Sequence, residues 1–367
     1  MAVITYKCPN CGGELVFDPA SQKYKCEYCV SEFTQRQLEE MTPAEGSERV
    51  DDTADEPAFT AEDGEKKNSS SSRNGSAQTA MVYTCPSCGA EVVTDETTAA
   101  TFCYYCHNPV VLGGRLSGEY LPDKIIPFSI DRKSATEQFL KFVGKKKFVP
   151  KAFFNEEQIE KFSGVYYPYW IYDCDTDGWI NAEATKVRTW RSGDTEYTET
   201  SIFQVERAGD ITLKNIPKNA LKKSDKALVN GVFPFRLGEA KQFSMGHLSG
   251  FLAEKRDMEK QEFTAQLHQE TETYSQQILR DSITGYSTVN VQNSRINQRK
   301  ETWNYLLLPV WVLTYAGRNG KVYYYTMNGQ TGTIRGELPV DYKKLSLFSL
   351  VAGLIVAVVC MIGGYLV

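Results

Sequence analysis

The sequence lacks the patterns on which most enzymes build their active sites. Only three histidines are present, His107, His247 and His268, and none lies in a His-Glu-x-x-His or nucleophile-elbow pattern. It has no Gly-x-x-x-x-Gly-Lys-Ser/Thr segment that would hold a nucleoside triphosphate. The glycine-rich segment 113–118 lacks the lysine of such a loop and is interpreted as a linker. We therefore assign no catalytic or cofactor-binding residue and do not expect the chain to be an enzyme.

Positive charge is scarce in the first third of the chain. Residues 1–114 hold 8 Lys and Arg against 18 Asp and Glu, whereas residues 115–367 hold 33 against 28. The segment 82–112 contains no Lys or Arg. Because a protein that binds nucleic acid neutralises several phosphates with basic residues, this composition argues against a nucleic acid as the partner.

Cysteine, in contrast, is plentiful and regularly spaced. Eight of the ten cysteines form four Cys-x-x-Cys pairs, and a shift of 77 residues superimposes two pairs on the other two, with 11 identities over 24 positions. The N-terminus also lacks the apolar run of a secretory signal, so a reducing compartment and metal binding are expected. The predicted metal ligands are Cys8, Cys11, Cys26, Cys29, Cys85, Cys88, Cys103 and Cys106.

Each cysteine module is predicted to be a zinc ribbon. Its pattern is Cys-Pro-x-Cys-Gly, 13 further residues and Cys-x-x-Cys, which puts two thiolates on each of two tight turns. Four thiolates satisfy the tetrahedral preference of Zn²⁺ and leave no open position for a substrate, so both zinc ions would be structural. Rubredoxin-type iron is the main alternative. His107, which directly follows Cys106, is interpreted as a surface residue.

The C-terminal segment 345–367 is predicted to be a transmembrane helix. It contains 23 residues without one charge, which as a helix would span about 34 Å, enough to cross a ~30 Å hydrocarbon core. Lys343 and Lys344 directly precede it and no basic residue follows. The positive-inside rule then predicts a single-pass, tail-anchored protein of the cell membrane, with residues 1–344 in the cytoplasm.

Between these segments the sequence divides into a tether and a body. Residues 34–80 are acidic and then Ser-rich, and are predicted to be a disordered tether between zinc ribbon 1 (1–33) and zinc ribbon 2 (81–112). Residues 115–342 form the predicted body, of α+β class with antiparallel hairpins. Its predicted strands cover 178–190, 196–206, 303–315 and 322–327, with a two-residue Asn328-Gly329 hairpin. Its predicted helices cover 133–143, capped by Asp131, and 247–281.

The body contains one weak internal echo. The segment 167–171, Tyr-Pro-Tyr-Trp-Ile, resembles 308–312, Leu-Pro-Val-Trp-Val, in a proline and a tryptophan. Two related halves, or chance similarity, would both explain it.

Two charged clusters in the body are each open to two interpretations. Asp173, Asp175 and Asp177 resemble the start of an EF-hand loop, but the twelfth position is Ala184 and the flanks resemble strands. A hairpin turn is the preferred interpretation, with a weak cation site as the alternative. The basic cluster in 145–151 is interpreted as a solvated loop, with anionic lipid headgroups or nucleic acid phosphates as alternative ligands.

The whole arrangement resembles a family of bacterial TFIIB-type zinc-ribbon-containing membrane proteins. The resemblance is carried by the two cysteine modules, the C-terminal span and the body motifs PDKIIPFSIDRKSA, VYYPYWIYD, LLLPVWVLTY and MNGQTGTIRGELP. Some members are assigned to replication-restart helicases through the ribbon alone, which the missing nucleotide-binding loop argues against. The resemblance implies protein partners at the membrane of the phage-shock or flotillin-like type.

These observations predict a membrane-anchored cytoplasmic adaptor whose zinc ribbons dock partner proteins. The closed metal sites, the acidic ribbons and the predicted anchor favour it. Two alternatives stay open: a membrane-tethered nucleic-acid-binding regulator, and an enzyme whose site in the body has no sequence signature. The oligomeric state has no signal in the sequence.

Overall fold

The protein is mostly β-sheet, with a few helices. The computed structural model describes residues 3–4, 6–41, 80–85, 91–103, 109–150, 153, 162–224, 229–316 and 321–366. Antiparallel hairpins dominate these residues, and one long apolar helix ends them. This confirms the expected mixture of strands and helices in its outline. Segment 42–79, which is most of the predicted tether, lies outside the described residues.

The described elements follow one another from a strand-rich N-terminal region into the body and then the apolar helix. The strands are β1 Val3–Ile4, β2 Leu15–Asp18, β3 Lys23–Cys26, β4 Glu32–Phe33, β5 Ala80–Thr84, β6 Glu91–Asp95, β7 Thr98–Phe102, β8 Pro109–Leu112, β9 Lys124–Ile125, β10 Ser163–Ser192, β11 Thr195–Asn219, β12 Lys241–Gln242, β13 Leu252–Glu254, β14 Thr288–Ala316, β15 Val322–Asn328 and β16 Ile334–Gly336. The α-helices are α1 Gln35–Met41, α2 Arg132–Gly144, α3 Gln261–Asp281 and α4 Tyr342–Leu366.

Two very long strands form the axis of the body. β10 has 30 residues and β14 has 29, and they pair antiparallel from Ser163 and Val312 to Thr185 and Thr288. At about 3.3 Å per residue, β10 is about 100 Å long. From Tyr172 to Ala184 alternate side chains of β10 are buried, and those of Ile180, Ala182 and Ala184 pack with α3, which covers this face of the sheet. Beyond Thr185 the hairpin of β10 and β11 continues without β14.

The echo between the two Pro-x-Trp segments marks a repeat of structure. The carbonyls of Pro168 and Pro309 accept hydrogen bonds from the N–H groups of Ala220 and Gly329, both at 2.9 Å. Before its proline each long strand pairs in parallel with a short strand, β13 beside β10 and β9 beside β14. After its proline each pairs antiparallel, β10 with β11 and β14 with β15.

The two tryptophans of the echo are also equivalent. Trp170 Nε1 donates to the carbonyl of Met258, and Trp311 Nε1 donates to the carbonyl of Ile130, each at 3.0 Å. Met258 precedes α3 and Ile130 precedes α2. The body is therefore built from two β-α-β-β halves, β9-α2-β10-β11 and β13-α3-β14-β15. Each half pairs its first short strand with the long strand of the other, so the interpretation as two related halves is confirmed.

The first cysteine module packs directly on this body. Phe17 N donates to the carbonyl of Ser249 at 3.2 Å, and Ser249 Oγ donates to the carbonyl of Leu15 at 2.6 Å. The ring of Phe17 meets the His247 ring edge-on at 5.2 Å. Tyr24 lies so close to Gly246 that a Cβ there would collide with its ring. Module and body consequently share one hydrophobic core.

The predicted bounds of the helices and hairpins in the body are partly confirmed and partly need correction. α2 begins after Asp131, whose carboxylate accepts from Ser134 N at 3.1 Å, as expected. β14 and β15 form the predicted hairpin. The helix predicted over 247–281 begins only at Gln261, because a 3-10 turn and β13 precede it. The connection after Asn328 has five residues instead of two, because the Asn328 side chain turns inward to bond the body.

The apolar C-terminal segment forms the helix α4. Within Tyr342–Met361 the most apolar 18 residues have a mean hydropathy of 2.3, and none of them is buried by the protein. Asp341 starts the helix, with its carboxylate accepting from the N–H groups of Lys343 and Lys344 at 3.2 and 3.3 Å. By length and composition α4 can cross a membrane.

Candidate metal centre

Two tight turns of the same design bring four cysteines together. In the first, Gly12 N donates to Cys8 O at 2.8 Å and Cys8 N donates to Gly13 O at 2.6 Å. In the second, Val30 N donates to Cys26 O and Cys26 N donates to Ser31 O, both at 3.0 Å. β2 and β3 form the hairpin that carries the second turn back to the first.

Both turns pass through the left-handed region at the residue after their second cysteine. Gly12 has a φ of 73° and Val30 a φ of 59°. Glycine adopts this conformation freely, which confirms the role expected of Gly12, whereas a β-branched residue is strained there. The hydrogen bonds of the turn and the adjoining β2–β3 hairpin keep Val30 in this strained conformation.

The four sulfur atoms form one compact group. The Sγ atoms of Cys8, Cys11, Cys26 and Cys29 all lie within 4.8 Å of one another. Cys8 Sγ is 3.5 Å from Cys29 Sγ, and Cys11 Sγ is 3.5 Å from Cys26 Sγ. Sulfurs that surround a metal tetrahedrally at about 2.3 Å are about 3.8 Å apart, so this group can hold such an ion. The separations are too long for disulfide bonds.

The protonation equilibria of the two outer cysteines are strongly perturbed. Hydrogen bonds with Ser31, whose Oγ lies 3.2 Å from Cys29 Sγ, lower the pKa of Cys29 to about 6. The N–H of Gly13 favours the Cys11 thiolate, but the neighbouring sulfurs of Cys29 and Cys26 outweigh it and raise the pKa of Cys11 to about 12. Without a cation the group cannot easily carry four negative charges. A divalent cation at its centre would favour the thiolate at every position.

The centre has an inner and an outer side. Cys8 and Cys26 are buried toward the body, whereas Cys11 and Cys29 are exposed. The outer turn also exposes Tyr28 and Val30, by 75% and 64% of their surfaces. The Tyr28 ring lies over Gly13, where a Cβ would collide with it. The centre thus fixes two large apolar side chains at the surface.

One strand pairing of the second module repeats a pairing of the first, whereas the β2–β3 hairpin has no counterpart among the described strands, since β6 pairs with β5 and β7 with β8 and β13. Thr101 pairs with Val110, and the same pair 77 residues earlier is Tyr24 with Phe33. Cys85 and Cys103 are fully buried and belong to one small core with Tyr83, Val110 and Leu112. Cys88 and Cys106 lie outside the described residues. Among the described residues, the sulfurs of the first module form the one candidate metal group.

The three aspartates that resemble the start of an EF-hand loop lie in a β-strand and not in the predicted hairpin turn. Asp173, Asp175 and Asp177 fall within β10, so the expected hairpin turn is wrong. In a strand these three residues lie on the same face, with about 7 Å between one and the next. Each carboxylate also has its own protein partner. The partners are Asn215 N at 2.6 Å, Thr212 Oγ1 at 2.8 Å and Arg299 Nε at 2.7 Å.

The histidines also have ordinary structural roles where they are described. Nδ1 of the buried His247 lies 3.3 Å from the carbonyl of Ser244, and burial lowers its pKa to about 4. His268 forms a contact of 2.8 Å with Glu301. His107 lies outside the described residues. His247 is a contact between the first module and the body, which its isolated place in the sequence did not indicate.

The fold and the centre define a class of protein: a four-thiol module packed on a duplicated β-α-β-β body that is joined to an apolar helix. The chain is 30% identical over 352 residues to the uncharacterized protein YdjG of Bacillus subtilis (strain 168), an alignment that covers 96% of this chain and 95% of that protein. The chain therefore belongs to the same family as YdjG. No protein-family model and no solved structure matches it.

Proposed function

We propose that this protein is a membrane-anchored cytoplasmic adaptor, in which a structural zinc site holds a docking face for a partner protein and no reaction is catalysed. The observation that carries the proposal is the geometry of the first module. Its four thiols leave no open metal position, its inner face is fixed to the body, and its outer turn exposes Tyr28 and Val30.

Zinc is the metal proposed for the four-thiol group. Zn²⁺ prefers four sulfur ligands in a tetrahedron, and the sulfur separations are compatible with that geometry. A second zinc is proposed for Cys85, Cys88, Cys103 and Cys106, because the cysteine spacing is the same and one strand pair beside them repeats a pair of the first module. Elemental analysis of the purified full chain tests both sites: two zinc ions per chain are expected, and iron in their place would contradict the assignment.

Membrane insertion of α4 is proposed from its length, its mean hydropathy and its lack of burial. The lysine pair Lys343 and Lys344 would lie on the cytoplasmic side. The proposed anchor predicts that the chain stays with membranes during carbonate extraction. Release into the soluble fraction would exclude a spanning helix.

The docking face is proposed to consist of Tyr28 and Val30 on the rigid outer turn. Exposed aromatic side chains on a fixed support are typical anchors of protein interfaces. Partners at the membrane of the phage-shock or flotillin-like type are proposed from the family resemblance of the sequence. The first module shares its core with the body, so the experiment uses the full chain and not an isolated fragment.

The test compares partner capture by the full chain with capture by two variants. Tyr28→Ala is expected to reduce the captured amount of a phage-shock or flotillin-like protein by at least about tenfold, as for a residue at the centre of an interface. Tyr274→Ala is the matched control, since Tyr274 is 63% exposed on α3. Equal capture by both variants would contradict the docking face. Binding of DNA or RNA by the full chain at ~0.15 M salt would favour the nucleic-acid alternative.

A further inference from the structure

A pocket lies where the body meets the first turn of α4. It has a volume of about 380 Å³ and is formed by two short segments, Lys145–Val149 after α2 and Leu338–Val340 before α4. Its walls are mainly apolar, with Val149 and Pro339 buried and Val340 42% exposed. Lys145, Lys146 and Lys147 all contribute to its lining and are exposed.

Three contacts join the loop that lines this pocket to the first turns of α4. Asp341 N donates to the carbonyl of Phe148 at 2.7 Å, and Lys344 Nζ donates to the carbonyl of Val149 at 3.0 Å. The ring of Phe148 meets that of Phe348 at 5.4 Å. The loop after α2 therefore follows the helix from its start into its first apolar turns.

With α4 inserted, the start of the helix and the pocket beside it would lie in the headgroup layer of a membrane. The apolar run begins at Leu345, and at about 1.5 Å per residue Asp341 is about 6 Å further out. The polar layer outside the hydrocarbon core is about 5–7 Å thick on each side. With α4 in a membrane, the pocket opens at the level of the phosphates, and Phe148 and Phe348 meet at the edge of the hydrocarbon core.

The charge at the pocket suits an anion. Besides the three lining lysines, Lys343 and Lys344 begin the adjoining helix. Two acidic residues flank the lining segment 338–340, and both are engaged: Asp341 accepts at the start of α4 and lies 3.7 Å from Lys344 Nζ, and Glu337 is paired with Lys321 at 2.7 Å. Within the described part of the chain, no carboxylate lies within 4.0 Å of the ammonium groups of the three lining lysines. Basic residues next to a transmembrane helix are attracted to anionic lipids.

We propose that this pocket binds the phosphate headgroup of an anionic phospholipid, with the lysines on the phosphate and the apolar walls against the glycerol and the upper acyl chain. The proposal rests on the proposed insertion of α4 and specifies what the body does at the membrane surface. A bound lipid would hold the body, and with it the docking face of the first module, in one orientation to the membrane.

The experiment measures lipid binding to the full chain in a neutral detergent. The probes are phosphatidylglycerol and phosphatidylcholine, and bound lipid is counted by native mass spectrometry. The wild-type chain is expected to retain phosphatidylglycerol in preference to phosphatidylcholine by at least about tenfold. The triple variant Lys145→Gln, Lys146→Gln, Lys147→Gln is expected to lose this preference, since each lysine near an anionic headgroup contributes roughly fivefold in affinity.

Two further variants separate the pocket from general charge and from folding. Lys186→Gln, Lys214→Gln, Lys300→Gln removes three exposed lysines elsewhere and should bind lipid as the wild type does. Val340→Glu places a negative charge in the pocket wall and should weaken phosphatidylglycerol binding without a change in the melting temperature. Equal binding by the triple pocket variant and the control triple variant would overturn the proposal.

Two further experiments identify the source of the bound phosphate and distinguish failure of the lipid proposal from failure of the proposed membrane anchor. Displacement of the lipid by millimolar inorganic phosphate or by duplex DNA would assign the pocket to a soluble phosphate or to a nucleic acid and would overturn the lipid assignment. Carbonate extraction of wild type and triple variant tests insertion independently. A resistant wild type without lipid preference would refute only the pocket, whereas an extractable wild type would refute the anchor.

Discussion

The cysteine modules and the body are both duplicated, but only the first duplication is plain in the sequence. The cysteine repeat keeps 11 identities over 24 positions, whereas the central echo of the body keeps a proline and a tryptophan in five. A metal group demands sulfur at each ligand position, so its residues must recur. The body repeat is held largely by backbone groups, such as the N–H of Ala220, which nearly any residue can supply. At the equivalent Gly329 the bond is also made by the backbone, but a Cβ there would collide with Phe128.

The two repeats should therefore respond differently to substitution, and the largest effect is expected at a sulfur. Cys8→Ser removes a buried ligand of the first centre and should release one zinc ion per chain. Because metal binding supplies folding energy to small modules, the first module should lose about 5 kcal/mol or more of stability. Zinc content and protection of residues 6–41 from hydrogen exchange measure both effects.

The control for this variant is Cys360→Ser, which changes an exposed cysteine on α4. Its zinc content should equal that of the wild type. Full zinc content in Cys8→Ser would show that the first group is not a four-sulfur site.

The next largest effect is expected where the two body halves differ. Asn328 is fully buried, donates to the carbonyls of Val232 and Pro234 and accepts from Gln330 N and Thr331 N. Its equivalent, Asn219, accepts from Leu221 N and Ser224 Oγ. Asn328→Ala should cost about 3 kcal/mol and Asn219→Ala about 1–2 kcal/mol, since buried partners lose their hydrogen bonds.

Chemical denaturation of the full chain in detergent measures both free energies of unfolding. Equal losses would mean that the inward bonds of Asn328 contribute little and that the halves are energetically alike.

A smaller, pH-dependent effect is expected between the first module and the body. Burial, with a lesser contribution from Lys241, lowers the pKa of His247 to about 4, below its value of about 6.5 in an unfolded chain. The unfolded chain then binds the proton first, so stability falls as the pH drops from about 6.5 to about 4. Between pH 7 and pH 5 this loss is about 2 kcal/mol.

The variant His247→Gln removes the titrating group and should flatten this part of the stability curve. Unfolding free energies of wild type and variant at both pH values test the assignment. An identical slope in the two proteins would place the pH dependence elsewhere.

The smallest effect concerns the second turn of the first centre. Val30 adopts the left-handed conformation that Gly12 adopts in the first turn. Val30→Gly should relieve strain and stabilise the module by about 1 kcal/mol, measured by denaturation of the zinc-loaded chain. Val30→Ala keeps the conformational strain and is the control. A destabilised Val30→Gly would mean that the side chain of Val30 contributes more than its strain costs.

The sequence predicted most of the local elements and missed how they join. Asp131 marked the start of α2 correctly because capping is a local interaction. The helix predicted over 247–281 was too long because Leu248 and Leu252, which fit a helical spacing, belong to a buried turn and to β13. The segment of Asp173 resembled a turn, yet pairing on both sides keeps it in β10.

The sequence by itself determined the four-sulfur group of the first module and the apolar helix α4, since ligand spacing and hydrophobic length are properties of neighbouring residues. Only the tertiary structure decided that the first module packs on the body and that the two halves exchange their short strands. It also brought Lys145, Lys146 and Lys147 to the segment directly before α4, about 200 residues away in the chain. These arrangements depend on long-range pairing of strands and on backbone hydrogen bonds, which leave no fixed spacing in the sequence.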